Sequence, residues 1–190
     1  MSCHISIGTE SKIAFVFSCP GRNELEAGYP AAKATGTNLS LFLSKLSAEL
    51  SYGALTRKKI TITNAWDKVE YEELTKRSEA TSDDIKGTLN IQRLSKELEN
   101  ISDLIVCCGD KALLAVNECA LKTKPKVVTL KHLGNKGLNS IKFDLNGKEI
   151  LSAKKARELG DKRSAKIIGK ENTALRLQIL SKNIANQIKI

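Results

Sequence analysis

No apolar run in this 190-residue chain approaches the ~20 residues that span a bilayer. The N-terminal stretch also lacks a basic segment followed by an apolar signal core, so a cytoplasmic protein with no membrane partner is expected. Cys3, Cys19, Cys107, Cys108 and Cys119 form an odd set with no Cys-x-x-Cys spacing. That pattern suggests neither a disulfide framework nor a zinc or iron–sulfur site, and no metal or cofactor is expected. Cys107 and Cys108 sit in an apolar run and read as buried small hydrophobes. The glycine and lysine spacings of a dinucleotide fingerprint or a Gly-Lys-Thr phosphate loop are absent. There is no internal repeat, and no Pro/Ser-rich linker divides the chain, so residues 1–190 read as one domain. Its oligomeric state is left open, with a monomer favoured.

What the chain does carry is positive charge: a formal net charge of +10 and a pI near 9.4. Such a field favours an anionic partner, with nucleic acid or an anionic membrane surface leading. Strand signals fall at Lys12–Ser18, Lys59–Asn64, Leu104–Gly109 and Lys126–Leu130, each nearly apolar on both faces as in a parallel sheet covered from both sides. Helical spacing links them. Thr37 is expected to cap a helix through Leu39, Phe42, Leu43, Leu46 and Leu50. Ser82, Asp83 and Asp84 open another, continuing through Ile91, Leu94 and Leu98, and Asp110 caps a third through Ala112, Leu113, Val116 and Ala120. Alternation of this kind predicts a three-layer α/β/α fold around a central four-stranded parallel sheet. Residues 141–150 read as a hairpin with an Asn-Gly turn. A basic segment from Lys154 to Lys170 and a final amphipathic helix follow, and 141–190 as a whole reads as a basic C-terminal extension.

Ligands in open α/β sheets bind outside the carboxyl ends of the strands. Three strand ends here carry polar groups. The first runs into Ser18-Cys19-Pro20-Gly21, followed by Arg22, Glu24, Glu26, Lys33, Thr35 and Gly36, a loop suited to an anion or to a carboxylate that activates water. The second ends at Asn64, whose amide offers a donor and an acceptor and serves equally as a turn or capping group. The third leads to His132 and the loop Leu133-Gly134-Asn135-Lys136-Gly137-Leu138-Asn139. A histidine there can donate to a developing oxyanion, although a lone histidine is usually structural, as His4 is read to be.

Together these segments resemble the uracil-DNA glycosylase superfamily, closest to the branch whose first motif reads Gly-Glu-Ala-Pro-Gly, then acidic residues, then Gly-x-Pro-Phe-x-Gly. Phe17-Ser18-Cys19-Pro20-Gly21, Glu24, Glu26, Gly28, Pro30 and Gly36 follow that layout, and Asn38-Leu39 opens the next helix. Ile62-Thr63-Asn64-Ala65 resembles the strand-end asparagine motif, His132-Leu133-Gly134 stands where the family has His-Pro-Ser, and Gly109-Asp110-Lys111-Ala112 resembles its Gly-x-x-Ala helix start. The likeness spans roughly residues 12 to 140. It implies a monofunctional DNA glycosylase that flips a pyrimidine nucleotide and hydrolyses its N-glycosidic bond, leaving an abasic site. Glu24, with Glu26 second, would position water; Asn64 would read the base; His132 would stabilise the leaving base. Cys19, Pro20, Gly21, Tyr29 and Ala31 would form the base pocket. Arg22, Lys33, Thr35, Gly36, Gly134, Lys136 and Asn139 would contact DNA, with Leu133 or Leu138 as the wedge.

The departures from the pattern have chemical content. Ser18 and Cys19 replace the acidic or amide residue early in the first motif, and Ala31 stands where an aromatic ring stacks on uracil. Losing that ring leaves volume, so a bulky modified pyrimidine is the expected substrate, such as a modified cytosine of phage DNA whose removal serves host defence. Ordinary uracil repair, with Tyr29 supplying the ring, is the alternative within the fold. A catalytically inactive DNA-binding module, or hydrolysis of a free nucleoside, lies outside that chemistry.

Overall fold

Ile13–Phe17 is apolar at every position because helices cover both of its faces. In the computed structural model, which describes residues 2–50 and 53–189, this segment is strand β1, followed in chain order by β2 (Thr61–Asn64), β3 (Leu104–Cys108) and β4 (Lys126–Leu130). They form one sheet in the order β2-β1-β3-β4, parallel throughout. The chain crosses β1 after β2, so the sheet reverses direction beside its first strand, the arrangement that opens a crevice at the carboxyl edge.

The first crossover carries α1 (Arg22–Ala27) and α2 (Lys33–Glu49). The second carries α3 (Glu72–Thr75), α4 (Ser82–Lys86) and α5 (Thr88–Leu98), and the third α6 (Asp110–Glu118). After β4 come α7 (Asn135–Asn139), α8 (Ala153–Glu158) and α9 (Ala165–Lys189). Alternation along the strands separates two cores. Ile13, Phe15 and Phe17 point to the layer of α2 and α9, meeting Leu39, Phe42, Leu177 and Ile184; Ala14 and Val16 point to α5 and α6, meeting Leu94, Leu98, Ala112 and Ala115. Phe15 and Phe42 pack edge to face with centroids 6.1 Å apart, and each fully buried ring contributes about 1.5–3 kcal/mol. The architecture is thus α/β/α around a four-stranded parallel sheet.

Several local expectations are corrected. The second helix begins at Lys33 with Ala32 as its N-cap, placing Thr37 inside it, where the hydroxyl donates to the Lys33 carbonyl. The helix from Ser82 is capped by Thr81 in a reciprocal box with Asp84, and it breaks at Gly87 before α5. Gly109, not Asp110, caps α6. The final amphipathic helix forms as α9, and its Leu177, Leu180 and Ile184 enter the core against α2. The basic stretch from Lys154 to Lys170 is helical in part, as α8 and the start of α9, and at the surface Lys155 pairs with Glu149 and Arg163 with Asp161 and Glu171. The 141–150 hairpin forms, with Phe143 bridged to Glu149 and Gly147 in the left-handed region. Among the described residues no helix is long and apolar enough to cross a membrane.

Candidate active site at the carboxyl edge of the sheet

Phe17 pairs with Asn64, so β1 and β2 end at the same level, and β4 delivers Lys131 and His132 to that edge. A cavity of about 600 Å³ opens there. Its wall contains Cys19, Gly21, Glu24, Ala31 and Thr35 from the first loop, Asn64 from the second strand end, and His132 and Lys136 from the third. The three strand ends singled out in the sequence therefore share one cavity.

His132 is the most tightly specified of these groups. The Gly134 N–H donates to its Nδ1 at 2.9 Å. A ring nitrogen that accepts carries no proton, so the neutral imidazole holds its proton on Nε2. Burial pushes this imidazole below its ordinary value, against the opposing pull of the Glu24 and Glu79 carboxylates. The ring is therefore neutral near pH 7. Phe17 stands edge-on to it with centroids 5.6 Å apart. A Cβ at position 134 would lie 2.9 Å from Nδ1, so only glycine lets the chain close on the ring.

Asn64 is held from behind. Its Nδ2 donates to the His4 carbonyl at 3.1 Å, and among the described residues no donor reaches its Oδ1. Arg93 Nη2 donates to the carbonyls of Asn64 and Ala65 and to Asn90 Oδ1, while Nη1 binds Glu97 at 2.6 Å. Thr63 donates to the same Glu97, which also pairs with His4. Burial pushes the Glu97 carboxyl up, and its bonds to His4 and Thr63 with the Arg93 charge more than reverse this, so it stays ionised. This half-buried network fixes the level at which Asn64 leaves the sheet.

The carboxylates sort differently from the sequence expectation. Glu24 lines the cavity, but its Oε2 accepts from Gly21 N–H at 3.1 Å and its Oε1 from Ala32 N–H at 2.9 Å, tying together the two ends of the loop. It builds the site. Glu26 lies outside the cavity wall, in an exposed ion pair with Lys33. Glu70 lines the cavity as a buried group that accepts from Arg77 Nε and Nη2 along one edge of the guanidinium, and from Trp66 Nε1, while Arg77 Nη1 donates to Asp84. Those bonds from Arg77 outweigh its burial and hold its carboxyl down at about 2. Glu79 also lines the cavity, with Oε1 accepting from Ser18 Oγ at 2.6 Å. Burial pushes the Cys19 thiol up, so it stands in the wall as a neutral group.

Other predicted residues are placed elsewhere. Leu133 is 0 % and Leu138 2 % exposed, both in the core on the side of the sheet covered by α2 and α9, so neither is a wedge. Tyr29 is 45 % exposed and lines a separate groove with Arg57 and Lys33, so its ring does not replace the one missing at Ala31. Pro20 is buried behind the cavity and accepts from Glu70 N–H, Gly134 acts through His132, and Asn139 accepts from Arg176. Arg22 pairs with Glu73 at the surface. Gly36 has a packing role: a Cβ there would meet the Ala31 carbonyl at 2.3 Å. That carbonyl and the one at Pro30 accept from Arg57, which pins a loop in which Ala31 and Lys33 hold φ of 49° and 45°. Left-handed backbone at non-glycine residues costs about 1–2 kcal/mol each.

Ser18, Glu70, Ser78, Glu79, Lys131 and Ser140 join the cavity without having been assigned to it from the sequence. Lys131 and Ser140 flank segments already singled out, whereas Ser78-Glu79 lies in a polar stretch with no pattern that marks it. A scan against protein-family models finds no match for this chain, and a search of curated proteins finds none either.

Proposed function

We propose that the protein is a monofunctional DNA glycosylase of the uracil-DNA glycosylase type, acting in the cytoplasm on a bulky modified pyrimidine. The observation that carries this is the neutral His132 with its proton on Nε2, standing in one cavity with Asn64 at the carboxyl edge of the sheet. A neutral imidazole donor stabilises negative charge that builds on the leaving base without first needing a proton. Asn64 Oδ1 is free to accept from a base N–H. Lys131 and Lys136 in the wall have no carboxylate partner among the described residues and suit the phosphates beside a flipped nucleotide.

The first loop supports the same reading in its backbone. Counted strictly from Gly28, the second glycine of the Gly-x-Pro-Phe-x-Gly pattern falls at Lys33, three residues before the Gly36 that follows the layout, and Lys33 holds a left-handed φ of 45°. The chain keeps a conformation that favours glycine after losing the glycine itself.

Cavity shape favours a large base over uracil. Ala31 puts a methyl where the family has a ring, Tyr29 lies outside the wall, and among the described residues the rings in the wall are those of His132 and of Phe17, which is only 3 % exposed. A volume of about 600 Å³ exceeds what one unmodified pyrimidine ring fills. The wedge falls to Phe143, 59 % exposed on the hairpin that begins just past Ser140 of the cavity wall.

The test is incubation with matched duplexes containing cytosine, uracil, hydroxymethylcytosine or glucosylated hydroxymethylcytosine, with abasic sites scored by alkaline cleavage. Release of a modified cytosine base is expected. Cleavage of uracil alone would overturn the bulky-base assignment, and cleavage of none would leave a DNA-binding module whose affinity falls steeply with salt.

A further inference from the structure

We infer that Glu79, held by Ser18, is the carboxylate that activates the hydrolytic water. This inference rests on the glycosylase reading and names a residue outside the first loop for its central step. Among the described residues three carboxylates line the cavity. Glu24 has one backbone N–H on each oxygen, and Glu70 has both oxygens bound to Arg77 with a further bond from Trp66. Glu79 alone among them keeps an oxygen, Oε2, with no hydrogen-bond donor among the described residues.

Glu79 is exposed at the cavity rim and is positioned by one side-chain hydrogen bond and by the anchoring of its chain neighbours. Ser18 Oγ donates to Oε1 at 2.6 Å, orienting the carboxylate from the end of β1. On one side of the 77–80 loop, Arg77 is anchored between Glu70 and Asp84; on the other, Ala80 is buried in the core. The Glu79 charge acts directly on the His132 imidazole, so acid and base stand within electrostatic reach across the same cavity. Ser18 occupies the place where the resembling pattern has an acidic or amide side chain. The serine returns that function indirectly, by docking a carboxylate from another segment.

The step balances as follows. Water bound to Glu79 Oε2 attacks C1′ and gives its proton to that oxygen as the bond from C1′ to the base nitrogen breaks. The bonding electron pair leaves with the base, whose oxygen receives the His132 Nε2–H hydrogen bond. The products are an abasic sugar carrying the water's hydroxyl and a base anion that takes up a proton on release, regenerating ionised Glu79.

The experiment measures free base released from the duplex that the wild-type protein cleaves in the panel above. Glu79→Gln keeps an acceptor for Ser18 and should lower the single-turnover rate by ~100-fold or more while duplex affinity stays within a few-fold. Glu79→Ala should be equally slow and should recover base release in azide, which attacks C1′ without giving up a proton and leaves a glycosyl azide detectable by mass. A merely structural glutamate would show no azide adduct. Base release by Glu79→Gln at the wild-type rate, or a slow Glu79→Ala with no azide rescue, overturns the role of Glu79 while leaving the glycosylase reading intact. A wild-type protein that releases no base overturns both.

Discussion

Gly134 donates its backbone N–H to Nδ1 of His132, and the missing side chain of the same glycine makes room for the ring. One residue thus sets both the tautomer and the position of the proposed electrophile. Gly134→Ala should push the imidazole aside and reduce base release by about 100-fold, the scale expected for a misplacement near 1 Å. Its thermal midpoint should change little, because the clash falls on a side chain facing the cavity. Single-turnover kinetics beside a melting curve checks this.

The His132 imidazole also writes a pH signature into stability. Its folded pKa lies below the ordinary 6.5 because the ring is buried. Above about pH 6.5 the ring is neutral in both folded and unfolded chains, and stability is full. As pH falls from there towards the folded value, the unfolded chain binds more protons and stability declines; below the folded value the loss is complete. Urea midpoints of wild type and His132→Gln, compared from about pH 7.5 to about pH 4.5, should converge as the wild type loses this contribution.

Glu70 contributes with the opposite sense. Arg77 holds its carboxyl at about 2, down from 4.5, so its stabilisation is present above the unfolded value and is lost as pH falls through about 2. Glu70→Ala strips the buried partner from Arg77 and leaves Trp66 Nε1 without an acceptor. A loss of ~3 kcal/mol is expected in urea unfolding at neutral pH.

Lys33 occupies a glycine conformation. Lys33→Gly should raise stability by about 1 kcal/mol, because relief of the left-handed strain exceeds the loss of one exposed ion pair to Glu26. A decrease would show that Lys33 makes a stabilising contact beyond that pair.

Phe143 is expected to matter for duplex and not for single strands. Phe143→Ala should slow base release from duplex DNA about tenfold and leave single-stranded substrate nearly unaffected, since only the duplex demands unstacking. An equal loss on both substrates would place Phe143 in the cavity's own chemistry.

Much of the fold was legible because burial on both faces leaves a plain mark on β1, β2 and β3; the edge strand β4, also expected to be covered on both faces, is exposed at Lys126 and Thr129. The four strands are the four apolar runs, within one or two residues at each end, and the parallel sheet follows from the helical spacing between them. Asn64 and His132 were legible as polar residues at the ends of such runs. The wedge was not. Leu133 and Leu138 sit in a loop rich in glycine and asparagine, and nothing local shows that the loop folds back to bury them in the core. Tyr29 and Ala31 are close in sequence, yet the turn pinned by Arg57 sends Ala31 into the cavity and Tyr29 into a neighbouring groove.

By itself the amino-acid sequence determined the layers, the strands and the edge of the sheet where chemistry is placed, because hydrophobic period and strand ends are local properties of the chain. Only the tertiary structure decided which carboxylate stands free in the cavity. Glu24, Glu26, Glu70 and Glu79 are equivalent as letters. They differ in what surrounds their oxygens: two backbone amides, a surface lysine, a half-exposed guanidinium, and a single serine hydroxyl. Those partners come from segments far apart in the chain, and hydrogen bonding between them is settled only when the sheet has brought its strand ends together.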